Sequence, residues 1–165
     1  MAKNPIGIFG DDMKKQCKRK HYALINTIAH AIDGARITSG PKVDQLRIRE
    51  LSAIEALAKG RATVQEWADM VALVYVCAQM ATHGVGHEAK AVCDEADGHL
   101  IAASKRYELT GRMGLTGPGL RCIRDLYEYH DLQRTSISLS AYERHIAATA
   151  NWMRSQAPEV SDVAA

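Results

Sequence analysis

Between Thr63 and His83 the chain offers almost no polar face. Trp67, Met70, Val71, Leu73, Val74, Val76, Cys77 and Met80 wrap nearly all the way round a helix of 3.6 residues per turn. Thr63-Val-Gln-Glu66 fits a capping box, in which the Thr and Glu side chains each satisfy the other residue's backbone amide. A helix that is apolar on nearly all sides cannot rest on a single surface and has to be surrounded. The most apolar part, Trp67 to Ala81, has 15 residues and contains Asp69 and Gln79. That is short of the roughly 20 residues of a membrane span, so no membrane partner is expected and the cover must be protein.

The punctuation of the chain shows where that cover comes from. Glycines at 34, 60, 84 and 111 each follow an amphipathic stretch, as helix-ending glycines do. Pro41 and Pro118 each follow a glycine, at positions suited to the first turn of a helix. The spacing predicts helices over about 12–33, 42–59, 63–83, 88–109 and 118–134, within roughly 2–4 residues at each end. A sixth starts at Ser140-Ala-Tyr-Glu143, which reads as a second capping box. The inward faces read as Cys17, Leu24, Ile28, Ala31 and Ile32 in the first of these, and Val43, Leu46, Leu51, Ile54 and Leu57 in the second. The fourth presents Ala89, Val92, Ala96, Leu100, Ala103 and Tyr107, with Gly98 as a weak point. The fifth presents Ile123, Leu126, Tyr127 and His130, and the last Tyr142, Ile146, Thr149 and Met153. No segment alternates with period two, and aromatic residues are 5% of a chain whose apolar content is 47%. The expectation is an all-α fold: a compact bundle of five to six helices, with 63–83 buried at its centre. Residues 1–11 read as an N-terminal tail, 12–156 as one helical domain, and 157–165 as a C-terminal tail.

Chemistry-bearing residues are present without a recognisable constellation. Cys77, His83, His87 and Cys93 lie symmetrically about the turn between the third and fourth predicted helices. Two thiolates and two imidazoles suit zinc, but this spacing matches no finger or ribbon, and core thiols with turn histidines are the plainer reading. His130 falls on an apolar stripe and reads as a hydrogen-bonded core histidine. Arg47 and Glu50 are three residues apart and read as a semi-buried ion pair. The loop 111–119 holds four glycines that serve turn geometry or an anion-binding nest; it lacks the Lys and Ser/Thr of a P-loop. There is no Gly-x-Ser-x-Gly and no His-Glu-x-x-His. We therefore expect no enzyme activity, no metal and no cofactor. Cysteines stand at 17, 77, 93 and 122 with no Cys-x-x-Cys pair, and the N-terminus has no signal-like apolar core. A cytoplasmic location with reduced thiols is the expectation.

Binding is the remaining class of function. Lys14, Lys15, Lys18, Arg19 and Lys20 form a basic run, followed by His21, on the first predicted helix. They read as a solvated face or as a contact for an anionic partner. The net charge of +2 is far from that of strongly basic nucleic-acid binders. The segment 63–83 is too apolar for a recognition helix, and the last helix offers only Arg144, His145, Asn151 and Arg154 for reaching bases. Nucleic acid therefore ranks below protein as a partner. On the fifth predicted helix Arg124, Glu128 and Tyr129 point away from the apolar stripe, and exposed Arg and Tyr are favoured interface anchors. The basic run and these three residues are the candidate partner-binding positions, with a homodimer as the simplest occupant.

Three stretches carry a resemblance: Glu50-Leu-Ser-Ala-Ile-Glu-Ala-Leu57 followed by Trp67-Ala-Asp69, Arg106-Tyr-Glu-Leu-Thr-Gly111, and Tyr129-His-Asp-Leu-Gln-Arg134. Over roughly residues 43–150 the chain resembles small helical accessory proteins of unassigned role carried by phages, plasmids and integrated elements of proteobacteria. The resemblance implies a protein that occupies a host protein, for example an inhibitor of a bacterial defence system such as CRISPR, or else a DNA-binding transcriptional regulator. It assigns no catalytic residue.

Overall fold

The computed structural model describes residues 40–156. The predicted tails, the helix over 12–33 and the basic run Lys14–Lys20 lie outside the described residues. Within them are five helices: α1 (Pro41–Ala58), α2 (Val64–Thr82), α3 (Ala89–Thr110), α4 (Gly117–Ser136) and α5 (Leu139–Gln156). The described residues form no strand beyond one isolated bridge, Ala62 to Met113. The fold is all-α, as the periodicity requires.

Local chemistry sets the helix boundaries. Thr63 caps α2: its Oγ1 accepts from the Glu66 amide at 3.2 Å, and Glu66 Oε2 accepts from the Thr63 amide at 2.7 Å. Thr116 caps α4, and Pro41 and Pro118 occupy the first turns of α1 and α4. Gly60, Gly84 and Gly111 follow α1, α2 and α3 with φ of +64°, +85° and +68°, a backbone that side-chain-bearing residues avoid. The start of α5 departs from expectation. Ser138 Oγ, not Ser140, accepts from the Ala141 amide at 3.3 Å, so the helix begins earlier than a Ser140–Glu143 box would place it.

Helix α2 is the hub. It packs against α1, α3, α4 and α5, and Met70, Leu73, Val74, Val76, Cys77, Met80 and Ala81 are buried. Helices α3 and α4 pack on each other, as do α1 and α4, while α5 lies against α2. Leu57, Leu100, Ile123 and Leu126 are wholly buried in the main core, each contributing about 1.5–3 kcal/mol. The α3 stripe has rotated slightly: Cys93 is buried, whereas Val92 is half-buried and Tyr107 is exposed. Leu51 (49% exposed) and Ile146 (40% exposed) lie outside the core despite fitting inward arcs. Each sits at the edge of an arc whose centre already meets the neighbouring helix, through Ile54 and Leu57 in α1 and through Tyr142 and Thr149 in α5.

The α1–α2 and α3–α4 connections touch each other. The Ala62 amide donates to Met113 O at 3.2 Å and the Leu115 amide to Leu57 O at 3.1 Å. At this crossing a Cβ on Gly114 would lie 2.7 Å from Gly60 Cα, so neither backbone could approach as it does. At the other end Gln133, buried on α4, donates through Nε2 to Val85 O at 2.7 Å and Cys77 O at 3.3 Å, tying the α2–α3 turn to α4. Connections that meet alternately at the two ends make α1–α4 an up-down bundle.

Two glycine substitutions separate backbone crowding from helix propensity. Gly98→Ala, exposed in mid-α3 with nothing within 4 Å of the added Cβ, is expected to stabilise by about 0.5–1 kcal/mol in urea unfolding. Gly114→Ala is expected to cost about 1–3 kcal/mol in the same measurement, because backbone stands where its Cβ would go.

Candidate functional site

The outward ridge of α4 carries two of the three predicted contact residues on that helix as free surface. Arg124 and Glu128 are exposed, and among the described residues neither forms an ion pair. Leu132, one turn further on, is 68% exposed. A groove of ≈ 430 Å³ lies on one side of the ridge, against α1, with Leu51, Ile54 and Tyr127 giving it an apolar lining and Glu55 a charged edge. A second of ≈ 420 Å³ lies on the other side, against α3, lined by Val92, Asp125 and Tyr129. Tyr129 differs from expectation. It is half-buried and packs against the main core, because α3 passes close enough for Val92 to border the same groove. It acts as a groove wall and not as a free anchor. The neighbouring face of α1 adds Ile48, which is 65% exposed, to Leu51.

Beneath this surface lies an ionic network that was not expected. Arg134 is fully buried. Its Nη1 and Nη2 donate to Glu50 Oε1 and Oε2 at 3.0 and 3.1 Å, and Nη2 also donates to Asp131 Oδ1 at 2.6 Å. Arg47 closes a second fork, donating through Nε and Nη2 to Asp131 Oδ1 and Oδ2 at 2.8 and 2.9 Å. Arg47 and Glu50 are therefore not each other's partner, because α4 supplies a better-placed group for each. Burial pushes the Glu50 carboxyl above its ordinary pKa against the pull of Arg134. For Asp131 burial acts the same way, but the hydrogen bonds from Arg47 and Arg134 outweigh it and hold its pKa low. Two bidentate forks across one interface fix the register of α1 on α4.

His130, one turn before Arg134, is buried as expected. Its Nε2 lies 3.1 Å from the Tyr142 hydroxyl of α5, and its Nδ1 has no partner. Burial first, then the charge of Arg134, lower its pKa to about 3, while Asp131 opposes them. The imidazole is thus neutral across the physiological range. Leu46, Val76 and Ile146 border a cleft of ≈ 270 Å³ in which His130, Tyr142 and Glu50 are also lining residues.

The remaining candidates resolve into structural roles. Cys77 and Cys93 meet in the core across α2 and α3. Contact with Cys93 and burial keep the Cys77 thiol protonated. The two histidines do not join them: His83 donates through Nδ1 to Gln79 O (2.8 Å) and stacks edge-on to His145, and exposed His87 faces Glu88. In the glycine loop, the Gly111, Arg112, Leu115 and Gly119 amides bond to Tyr107 O, Thr110 Oγ1, Leu57 O and Thr116 Oγ1. Those amides are committed within the fold and form no anion nest. A different cluster does converge: Glu95 and His99 on α3 and Cys122 on α4 have donor atoms all within 4.8 Å of one another. Burial, then the carboxylates of Glu95 and Asp125, push the Cys122 thiol up to about 11. Glu95 and His99 are four apart on one helix, a signal present in the chain; that Cys122 faces them depends on how α4 packs.

No helix among the described residues is long and apolar enough to cross a membrane. Comparisons with protein-family models, curated proteins and solved structures found no match for the chain.

Arg134→Ala is expected to destabilise the fold by about 3–5 kcal/mol in denaturant unfolding, because it strands Glu50 in a half-buried site without its partner. A second expectation concerns pH. The folded pKa of His130 is depressed from 6.5 to about 3, so its neutral form stabilises the fold above the unfolded value, and that contribution is lost as pH falls from about 6.5 towards 3. His130→Phe should therefore flatten the dependence of unfolding free energy on pH in this window by about 1.4 kcal/mol per pH unit, one proton's worth.

Proposed function

We propose that the protein is a binding module that occupies another protein through the α4 ridge and the two grooves beside it. The observation that carries this reading is the surface itself. Exposed Leu132, Leu51 and Ile48 stand among Arg124 and Glu128, which lack ion-pair partners among the described residues, beside two open grooves. Aliphatic anchors next to orienting charges are the composition of a protein contact, not of a phosphate-tracking surface. The strongly interacting titratable groups, Arg134, Glu50, Asp131 and His130, are engaged in holding helices together. On the resemblance to mobile-element accessory proteins, the partner is a host protein, for example a component of an antiphage defence such as a CRISPR complex. The position of α2 weighs against its use as a recognition helix in the regulator alternative, since it packs against four other helices and seven of its residues are buried.

Affinity capture of the full chain from a bacterial lysate, with and without nuclease, tests the reading. A single host protein retained after nuclease treatment is expected. Leu132→Asp combined with Arg124→Glu should weaken its retention by about 30-fold or more, the scale of a central contact. Charge reversal at Lys15 and Arg19 then shows whether the basic run adds to the contact. Recovery of the protein alone, as a homodimer, or of nucleic acid alone would overturn the proposal.

A further inference from the structure

Where α3 crosses the first turns of α4, three side chains of different chemistry aim their donor atoms at one point. Glu95 and His99 are one helical turn apart on α3, and Cys122 faces them from α4. Their donor atoms all lie within 4.8 Å of one another. His99 Nε2 is 3.6 Å from Glu95 Oε1, so the imidazole already presents that nitrogen to the carboxylate. The ring is held by packing. A Cβ on Gly119 would meet His99 Cβ and Nδ1 at 3.2 Å and Cγ at 3.1 Å, so the missing side chain at 119 is what lets the imidazole lie against α4. Cys122 is buried, and its thiol has no better acceptor than the Val92 carbonyl at 3.7 Å. Glu95 and Cys122 line a shallow cavity of ≈ 250 Å³ that opens to the surface, with Asp125 and Arg121 among its other walls. Arg121 forms no ion pair with either carboxylate among the described residues.

We propose that Glu95, His99 and Cys122 form a binding site for a zinc-type divalent cation that clamps α3 to α4. A thiolate, an imidazole and a carboxylate together suit a borderline-soft ion and not magnesium or calcium, which take oxygen ligands. The His99–Glu95 donor pair, at 3.6 Å, is already near a tetrahedral zinc edge of about 3.5 Å, and rotation of exposed Glu95 can adjust the remaining separations, all within 4.8 Å. The fourth position faces the cavity beside Asp125, which is one turn from Cys122 on α4. Two ligands from one helix and one from its neighbour would cross-link the pair near the end of the bundle where the glycine loop turns. The site departs from the sequence expectation of no metal and uses none of the Cys77, His83, His87 and Cys93 set; its three ligands line neither groove proposed for partner binding, although its cavity shares Val92 and Asp125 with the groove on the α3 side.

Cobalt(II) is the probe, because cobalt bound to a thiolate has a near-ultraviolet charge-transfer band and intense visible bands when four-coordinate. Titration of the reduced, metal-free full chain is expected to develop both at one equivalent and to lose them on addition of zinc(II), which should also raise the thermal unfolding midpoint. Cys122→Ser should abolish the charge-transfer band, and Cys17→Ser and Cys93→Ser should leave it intact. Glu95→Gln, at an exposed position that the fold does not need, should weaken zinc binding by roughly tenfold or more, with its helical circular dichroism unchanged. A wild-type titration without a charge-transfer band, a band that survives Cys122→Ser, or zinc affinity unaffected by Glu95→Gln would overturn the proposal.

Discussion

A guanidinium with no exposure to water has to bring its counter-charges with it, and in this protein that requirement organises three helices. Arg134 is held by Glu50 from α1 and by Asp131 from its own helix, and Asp131 is shared with Arg47. Removing charge from water is costly, so the arrangement persists only because nearly every donor is matched. The charge of Arg134 also helps keep His130 neutral, which in turn suits the hydroxyl of Tyr142 and the seat of α5. A hydrophobic contact between α1 and α4 would tolerate sliding; two forks pointing in fixed directions do not.

The core is built from small and medium side chains, and this sets how closely the helices approach. Ala53, Ala56, Ala89, Ala96 and Ala103 are buried alongside Leu57, Leu100, Ile123 and Leu126. Alanine brings helix axes together, and the places of closest approach fall to glycine, at Gly114 against Gly60 and at Gly119 against His99. Among the described Tyr and Trp residues only Tyr142 is buried. Trp67 donates to the Leu100 carbonyl at 3.0 Å, and Tyr75 pairs with Trp152 where α5 borders α2.

The polar groups of α4 are divided between its two faces. Its inner side spends its polar groups on stability, and its outer side leaves Arg124, Glu128 and Leu132 available between two grooves. Its first turns, where Gly119 leaves room for the His99 ring, place Cys122 opposite Glu95. Different arcs of one helix thus carry the packing, the exposed ridge and the proposed metal ligand.

What the sequence by itself determined was the kind of fold and its centre. The unbroken apolar circumference of 63–83 demands enclosure, the Thr63–Glu66 box starts that helix, and Gly60, Gly84 and Gly111 stop the helices before them. The burial of His130 was legible from its place on an apolar stripe, and the outward direction of Arg124 and Glu128 from the same periodicity. Pairing was not legible. Arg47 and Glu50 could meet on one helix, yet α4 offers each a partner 84 residues away. Arg134 occupies the His130 stripe one turn on, and nothing in the local pattern says that a charged residue there will be buried. Tyr129 and Leu51 exchanged the roles their arcs suggested because the azimuth of α3 and α1 against α4 decides which edge residue is covered. The meeting of Cys122 with Glu95 and His99, and of Cys77 with Cys93, was likewise settled by packing. Periodicity specifies a face along one helix, within reach of local forces; which face meets which is decided by the competition of all the helices for the same core.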